Sequence, residues 1–266
     1  MSQDIKLVAL DIDGTLLAPG VAPDALPDDS IVEVVAALRA RNIIVMLATG
    51  RMYPGAASIA AHLGIEEPLI CQQGASIHER DGRLRHGLTI DQDIAFELYE
   101  YAMRHQYSVA WFDHERYLVT SPSPAADYFA AVSGVEIEID PRPHESGIAA
   151  TGIDIVSHQD VSTDVHRFLE ARYGTRVGLL DFTAVTAIHA PGSSKGNALA
   201  LFASELGIEQ SQVLAIGDGI NDVSMLTWAG QSATPAHGDA FAKDAAGEVL
   251  IGDGVSGVVA RLQCLL

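Results

Sequence analysis

The sequence predicts an α/β fold, a doubly wound and mostly parallel sheet with a smaller α+β domain inserted into it. Short apolar runs typical of buried strands alternate with segments of helical spacing toward both ends of the chain. Between about Arg80 and Pro191, a hairpin signal and a mixed pattern of strands and helices interrupt that alternation. We therefore predict a core of residues 1–83 and 185–266 and an inserted domain of residues 84–184.

The first predicted strand carries two carboxylates at its carboxyl end. Leu7–Leu10 is an apolar run, and Asp11 and Asp13 follow it two residues apart, so their side chains share a face. Gly14 permits a sharp turn beside them, and paired acids in this place predict a cation site. A calcium loop is excluded because Thr15 is followed by apolar residues instead of further oxygen ligands. A plain acidic turn remains an alternative.

Two further βα units follow the first strand. The pattern predicts a helix from Asp29 or Ser30, a strand over residues 43–48, a helix over residues 54–63 and a strand over residues 68–71. Because helices separate these strands, the strands should be parallel and the loops after them should share one edge of the sheet. Thr49-Gly50-Arg51 follows the second strand at that edge.

The predicted insertion begins with the turn signal Arg80-Asp81-Gly82-Arg83. Helices are predicted over residues 91–105 and 161–173, strands over 108–112, 116–119, 153–156 and 177–180, and loops over 121–124 and 141–146. A strand predicted over 185–189 completes the mixed pattern just beyond the insertion. Its aromatic residues are interpreted as core, among them Trp111, Phe112, Tyr117 and Tyr128. Beyond the insertion the α/β pattern resumes, with a helix over residues 195–206, a strand over 213–216 and a helix over 221–228.

Composition and charge exclude several classes of function. The 266 residues include 16 Lys and Arg against 35 Asp and Glu, and the net charge of −19 argues against nucleic-acid and anionic-membrane partners. The ten histidines form no zinc-binding spacing, and Cys71 and Cys264 are interpreted as buried thiols of a reducing compartment. No apolar run reaches membrane-spanning length and residues 1–5 show no signal-peptide pattern, so we expect a cytoplasmic protein.

Four strand or helix ends carry groups suited to a phosphate site. They are Asp11 with Asp13, Thr49-Gly50-Arg51, Ser194-Lys195-Gly196 and Gly217-Asp218-Gly219-Ile220-Asn221-Asp222. Taken singly, each is equally well explained as a turn or an exposed helix start. A dinucleotide-binding fingerprint at Gly217 fails because position 222 is Asp instead of Gly. The motifs therefore carry weight only in combination.

Together and in this order, the four motifs resemble those of the haloacid dehalogenase superfamily of phosphohydrolases. The resemblance covers residues 5–82 and 187–258, and the spacing leaves room for a cap after the third strand. The strings Gly-Ser-Ser-Lys-Gly-Asn-Ala-Leu from residue 192 and Gly-Asp-Gly-Ile-Asn-Asp-Val-Ser-Met-Leu from residue 217 are similar to the Cof-type branch. The resemblance implies a Rossmann-like core with an inserted cap of type IIB.

The resemblance also implies catalytic roles. Asp11 is expected to be the nucleophile that forms an aspartyl-phosphate, and Asp13 the general acid and base. Thr49 and Gly50 are expected to donate hydrogen bonds to the transferring phosphoryl group, to which Lys195 adds a fixed positive charge. With these roles, the resemblance implies that the protein is a phosphatase.

A metal cofactor is implied by the same resemblance. We expect Mg²⁺, held by Asp11, by the backbone carbonyl of Asp13 and by Asp218, with Asn221 and Asp222 completing or orienting the shell. Asn221 is also a candidate for binding phosphate. Arg51 is expected either on phosphate or in a structural salt bridge.

The charge of the predicted cap limits the class of substrate that we expect. Residues 85–184 contain seven arginines, no lysine and sixteen acidic residues, a net charge of −9 that suits a polyanion poorly. We therefore expect a small phosphorylated metabolite, of the sugar or polyol phosphate class, and a monomer or weak homo-oligomer. A phosphotransferase or mutase using the same aspartyl-phosphate remains an alternative, as does a catalytically silent sensor of a phosphorylated ligand.

Two segments depart from the family pattern. Gln73 stands where Asn is usual, and the late loop has His237-Gly238-Asp239 between Ala236 and Ala240. We expect both changes to affect how the cap meets the core, and not the four motifs.

Overall fold

The computed structural model describes residues 4–266; residues 1–3, with which the predicted core begins, lie outside the described part. The strands are β1 Leu7–Leu10, β2 Ile44–Leu47, β3 Leu69–Cys71, β4 Ser76–His78, β5 Leu84–Gly87, β6 Ser108–Phe112, β7 Tyr117–Val119, β8 Ile137–Ile139, β9 Gly152–Val156, β10 Gly178–Phe182, β11 Val185–His189, β12 Val213–Ile216, β13 Gln231–Thr234 and β14 Glu248–Val249. The helices are α1 Asp29–Ala40, α2 Tyr53–His62, α3 Gln92–Arg104, α4 Pro124–Ser133, α5 Ser162–Tyr173, α6 Lys195–Glu205, α7 Val223–Trp228, α8 Ala240–Ala245 and α9 Ser256–Gln263.

The central sheet has five parallel strands in the order β14-β13-β12-β1-β2. The interior strand β1, between β12 and β2, is entirely buried, because helices cover both faces of the sheet. Apolar side chains of α1, α2 and α9 pack on one face, and those of α6, α7 and α8 pack on the other. In α1 the buried face repeats at helical spacing, with Ile31, Val34, Val35 and Leu38. The predicted doubly wound α/β fold is confirmed.

The register of the central strands brings their ends to one level. Leu10 of β1 pairs with Leu47 of β2 and with Ile216 of β12. Asp11 leaves the sheet directly after this row, and Thr49 and Asp218 follow within two residues of the ends of their strands. The carboxyl edge of the sheet therefore gathers three of the four motifs, as predicted.

The third predicted strand leads out of the central sheet. Ile70 of β3 forms a parallel bridge with Ala48, after β2, and β3 then pairs with β4 in an antiparallel three-stranded sheet, β3-β4-β5. The turn between β4 and β5 contains Gly82 at φ +90°, which confirms the predicted hairpin.

A six-stranded sheet, β10-β11-β9-β6-β7-β8, forms the second layer and is antiparallel apart from the β7–β8 pair. Helices α3 and α5 cover one of its faces, packing on Trp111, Ile153 and Ile155. Because β11 pairs with β9, this sheet continues past residue 184. The division of the chain into two domains stays a prediction, and the pairing favours an end of the insertion after His189.

Helix α4 occupies a segment that begins within a predicted loop. The Ser123 hydroxyl accepts a hydrogen bond from the Ala126 N–H at 3.2 Å, Pro124 takes the first helical position, and Gly134 ends the helix at φ +65°. These are ordinary start and stop signals of a helix. The loop predicted over residues 121–124 therefore ends at Ser123, because a proline at the first helical position starts a helix as readily as it breaks one.

Smaller differences concern helix starts and cysteines. Asp28, instead of Asp29 or Ser30, precedes the first turn of α1, and a 3₁₀ turn at Ile220–Asp222 precedes α7. Cys71 is buried as predicted, but Cys264 is exposed because it follows the last turn of α9. Within residues 4–266, no helix has both the length and the apolar character needed to cross a membrane.

Candidate active site

Lys195 links two motifs at the carboxyl edge of the central sheet. Its Nζ lies 2.6 Å from Asp11 Oδ1 and 2.6 Å from Asp222 Oδ1, and its side chain is fully buried. The Ser194 hydroxyl, which accepts a hydrogen bond from the Asn197 N–H, caps α6 and fixes Lys195 in the first turn. Burial by itself would lower the pKa of Lys195, but Asp11 and Asp222 raise it above its ordinary value. The ammonium is therefore charged.

Three carboxylates surround this single ammonium. One oxygen from each of Asp11, Asp218 and Asp222 lies within 4.8 Å of the others. Burial, followed by repulsion from Asp222, raises the pKa of Asp11 well above its ordinary value and raises the pKa of Asp218 to about 6. The cluster therefore carries more negative charge than Lys195 neutralises. A hard divalent cation would relieve this excess, and the oxygen donors present suit Mg²⁺.

Asp222 differs from the other two carboxylates because the protein already occupies both of its oxygens. Oδ1 accepts from Lys195, and Oδ2 accepts from the backbone N–H groups of Asp218 at 2.9 Å and Gly219 at 3.0 Å. Within residues 4–266, Asp11 and Asp218 each keep one oxygen that receives no hydrogen bond. This geometry makes Asp222 suited to orienting the Asp218 loop, and Asp11 and Asp218 suited to holding a cation.

Gly14 and Thr15 position Asp218 from the first motif. Gly14 adopts φ +84°, and a Cβ at this position would overlap the Asp218 carboxylate. The Thr15 hydroxyl donates to Asp218 Oδ1 at 3.1 Å. This role of Thr15 was not predicted from the sequence, where the available signal was a hydroxyl residue directly after the Asp-x-Asp-Gly turn.

Asp13 is not a member of the three-carboxylate cluster and forms an ion pair with Arg51. Arg51 Nε donates to Asp13 Oδ2 at 2.8 Å and Nη2 donates to Asp13 Oδ1 at 2.6 Å. Arg51 is only 4% exposed, whereas the Asp13 side chain is 39% exposed toward the cleft. Of the two alternatives for Arg51, the structure shows the salt bridge. A bidentate ion pair of this kind fixes the orientation of a carboxylate.

Thr49, Gly50 and Asn221 lie near one another around Gln73. The buried Thr49 hydroxyl accepts a hydrogen bond from the Arg51 N–H at 3.1 Å, and the Asn221 amide donates to Gln73 Oε1 at 3.2 Å. Gln73 adopts φ +58°, and its amide leaves no room for a Cβ at Gly50. Gln73 therefore joins the second and fourth motifs.

The second departure from the family pattern also reaches a motif. His237 Nε2 lies 2.6 Å from the carbonyl oxygen of Gly14. From the sequence, Gln73 and His237 were expected to affect the contact between cap and core and not the four motifs. In the structure, both residues contact the motif loops. These contacts join loops that are far apart in the sequence and that the fold brings to one edge of the sheet, so no local pattern predicts them.

A cleft of about 700 Å³ lies between the motif loops and the six-stranded sheet. Of the predicted site residues, the cleft walls contain Asp11, Asp13, Gly50, Arg51, Asp218 and Asn221. Thr49, Lys195 and Asp222 are buried behind them. All of the predicted residues thus come together, and the role of each stays a prediction.

Aromatic residues form much of the opposite wall. Trp111 is buried under α3 and α5, as predicted, but Phe112 and Tyr117 point to the other face of the sheet and line the cleft. Tyr128 of α4 also lines the cleft and is 56% exposed, so its prediction as a core residue is wrong. Alternation along a strand explains why the neighbours Trp111 and Phe112 have different surroundings.

Comparison with known proteins identifies the family. Residues 8–261 match the family model described as haloacid dehalogenase-like hydrolase. The HMP-PP phosphatase of Citrobacter koseri is 28% identical over 228 residues, which are 85% of this chain and 82% of that protein. Phosphatase YwpJ of Bacillus subtilis is 27% identical over 293 residues, covering 98% of this chain and 100% of that protein. A solved haloacid dehalogenase-like hydrolase of B. subtilis, 23% identical, superposes with a TM-score of 0.85 over 98% of this chain and 100% of that one. The chain therefore belongs to the haloacid dehalogenase-like hydrolase family, as its four motifs predicted.

Proposed function

We propose that this hydrolase is a Mg²⁺-dependent phosphatase that hydrolyses a small phosphate monoester through an aspartyl-phosphate on Asp11. The observation that carries the proposal is a pair of carboxylates with separate cationic partners beside one cleft. Lys195 holds Asp11, and Arg51 holds Asp13. Relatives named phosphatases support the same reaction class. Two carboxylates held apart in this way suit two different tasks, nucleophilic attack and proton transfer.

In the first step, an oxygen of Asp11 attacks phosphorus and the bond from phosphorus to the leaving oxygen breaks. Asp13 has to enter this step protonated, and it gives that proton to the leaving oxygen. The Gly50 amide and the Thr49 hydroxyl donate to the phosphoryl oxygens, and Lys195 holds Asp11 in the attacking direction. Because these groups are fixed by the fold before the substrate enters, little reorganisation is needed at the moment of reaction.

In the second step, a water molecule gives a proton to Asp13 and attacks the phosphorus of the aspartyl-phosphate. The bond between phosphorus and the Asp11 oxygen breaks, which releases inorganic phosphate, frees the Asp11 carboxylate and leaves Asp13 protonated as at the start. Arg51 keeps Asp13 directed into the cleft through both steps. The same carboxyl group thus serves as acid and then as base.

Mg²⁺ would be held by Asp11 and Asp218, with the backbone carbonyl of Asp13 as a further ligand. Asp222 and Asn221 would orient the Asp218 loop, through the contacts described above. When bound, the ion supplies positive charge that neutralises the phosphoryl oxygens and allows an anionic nucleophile to approach.

The cleft suits a substrate with one phosphate group. Arg51 is the only arginine or lysine among the described residues that line it, and a polyanion would find no further cationic wall. This supports the small monophosphate expected from the charge of residues 85–184. The sugar or polyol class rests on that charge alone.

The direct test is release of inorganic phosphate from a panel of sugar, polyol, aryl and nucleoside monophosphates, with Mg²⁺ and after its removal by a chelator. We expect release that requires Mg²⁺ and is not diverted by added acceptor alcohols or sugars. Suppression of phosphate release by an acceptor would indicate a phosphotransferase. If folded protein that still binds Mg²⁺ released phosphate from none of these esters, the proposal would be contradicted.

Replacing Gly14 tests the placement of Asp218. In Gly14→Ala the added methyl group displaces the Asp218 carboxylate, and we expect the rate of phosphate release to fall about 100-fold. Gly20→Ala is the matched control, because Gly20 has a similar φ of +80° but no neighbour within 4 Å of an added Cβ. Denaturant unfolding should show that Gly20→Ala loses about 1 kcal/mol for its left-handed backbone, and that Gly14→Ala loses more because its methyl group also overlaps Asp218. Equal activity in the two variants would show that Asp218 tolerates displacement.

Replacing Asp13 separates the two proton transfers. In Asp13→Asn we expect turnover of an alkyl phosphate to fall about 100-fold to 10⁴-fold, because its leaving oxygen needs a proton. With p-nitrophenyl phosphate, whose leaving group needs none, we expect a stoichiometric burst of nitrophenol followed by slow turnover. Asp24→Asn, at an exposed acid in the loop before α1, is the control for loss of charge. Equal losses on both substrates without a burst would assign Asp13 another role.

A further inference from the structure

Asp154 is an isolated acid in the wall of the cleft that faces the motif loops. It lies on β9, in register with Ala110 of β6 and Ala187 of β11, so its neighbours across the sheet are two methyl groups. Gly152 and Val156 flank it on the same face of β9 and also line the cleft. These small or apolar neighbours leave the carboxyl group open toward the cleft.

The carboxyl group of Asp154 has no partner among residues 4–266. The residue is 9% exposed, and no residue in the described range 4–266 donates a hydrogen bond to its side chain or forms an ion pair with it. Burial raises the pKa of Asp154 to about 7. A buried carboxyl group without a partner destabilises a fold, and an apolar residue would suit this position better. The stability of the fold therefore does not explain why an acid occupies position 154.

Aromatic rings define the space in front of this face of the sheet. Phe112, Tyr117 and Phe129 form a mutually packed cluster with ring centroids 5.0–5.6 Å apart. Phe182 of β10 and Tyr128 also line the cleft. Such walls favour a flat, apolar group. A polyol fits these rings less well, because the ring faces offer no hydrogen-bond partner to hydroxyl groups that would lose water against them.

The position of Asp154 separates it from the phosphate chemistry. It belongs to the six-stranded sheet, whereas Asp11, Asp13 and Asp218 follow strands of the central sheet on the other side of the cleft. A phosphate group held at the motif loops directs the rest of its ester toward the six-stranded sheet. Asp154 therefore faces the leaving group.

We propose that Asp154 determines substrate specificity by accepting a hydrogen bond from an N–H group on a flat, otherwise apolar ring of the leaving group. This inference rests on the proposed phosphatase function, because the ring is the part of the ester that departs from phosphorus. Recognition by a polar group in apolar surroundings discriminates strongly, since an analogue that lacks the donor leaves the carboxyl group unpartnered.

Binding of non-hydrolysable esters tests the inference without requiring turnover. The probes are aminobenzylphosphonate and methylbenzylphosphonate, each as its meta and para isomers, so that an N–H donor is exchanged for a methyl group of similar size. In the presence of Mg²⁺, calorimetry should show the wild type binding one amino isomer about tenfold to 100-fold more tightly than its methyl counterpart. In Asp154→Leu the preference should disappear or reverse. Asp160→Leu, at an exposed acid beyond the end of β9, should keep it.

A stability measurement distinguishes this role from a structural one. Because the pKa of Asp154 is raised in the folded state, the carboxylate destabilises the protein above about pH 7, and the effect fades as the pH falls toward its ordinary value near 4. The other titratable groups on this side of the cleft are Tyr117 and His189 of the sheet and Tyr128 of α4. At pH 8, Asp154→Leu should melt a few degrees above the wild type. A structural partner for Asp154 would instead make the variant melt lower.

Two outcomes would overturn the inference. One is equal binding of amino and methyl isomers by the wild type, and the other is an unchanged preference in Asp154→Leu. Hydrolysis of p-nitrophenyl phosphate by the same wild-type preparation reports the proposed function separately. If the wild type shows no donor preference but hydrolyses the ester, the role of Asp154 alone is refuted. If the wild type shows the preference but no hydrolysis, the phosphatase proposal is refuted and the binding role stands.

Discussion

Asp11→Asn is expected to lower phosphate release by at least about 10⁴-fold, the scale of loss when an enzyme loses its nucleophile. The amide keeps the shape of the side chain but is a far weaker nucleophile toward phosphorus. Asp11 also belongs to a cluster in which one ammonium faces three carboxylates, so removing one charge should not reduce the melting temperature. The measurement is turnover of the best ester in the panel, together with thermal unfolding.

A matched variant shows whether the loss is specific to Asp11. Asp4→Asn removes one charge from an exposed acid just before β1 and should leave turnover unchanged. Asp11→Asn should still bind inorganic phosphate or a phosphonate, because Thr49, Gly50 and Lys195 remain. Retention of a tenth or more of wild-type activity in Asp11→Asn would remove Asp11 from the nucleophile position.

Lys195→Met should impair both folding and catalysis. The variant keeps the length of the side chain but leaves Asp11 and Asp222 buried without their cation, a defect that costs about 3–5 kcal/mol of unfolding free energy. Turnover should fall about 100-fold to 1,000-fold, as when one preorganised charge or donor is removed from a transition state. Urea unfolding and turnover on the folded fraction measure the two losses separately.

A second substitution isolates the electrostatic part of that loss. Adding Asp222→Asn to Lys195→Met removes one of the orphaned carboxylates and should restore part of the lost stability. Lys243→Met, at an exposed lysine in the last turn of α8, should change stability by no more than about 0.5 kcal/mol. If Lys195→Met were as stable as Lys243→Met, the ion pairs of Lys195 would be of no energetic importance.

The central strands were predictable from sequence because burial on both faces imposes a continuous apolar run. Leu7–Leu10 and Val213–Ile216 have that form, and each ends at a motif residue or shortly before one. Helix α4 was less accessible, since Ser123 and Pro124 serve equally well in a loop or at a helix start. A local pattern of this kind is compatible with a loop and with a helix start, and tertiary packing determines which of the two forms.

The site was predictable as a set of residues but not as a network. The motif order identified Asp11, Asp13, Lys195 and Asp218, whereas no local pattern linked Arg51 to Asp13 across 38 positions. Asp154 has a weak signal, a lone acid in the strand Gly152–Val156 whose other residues are glycine and aliphatic residues. Only the folded structure shows that this acid lies between Ala110 and Ala187 in the cleft wall, with no partner among residues 4–266.

The most direct test of the central proposal is the identity of the phosphorylated residue during turnover. The enzyme would be mixed with saturating substrate and Mg²⁺, quenched in acid within milliseconds and digested, and its peptides weighed by mass spectrometry. We predict that one HPO₃ group is added to the peptide containing Asp11 and that fragmentation places it on that residue, with no addition in Asp11→Asn. Phosphate released in a burst with no peptide modified, or a phosphoryl group on Asp13 or Asp218, would contradict the mechanism.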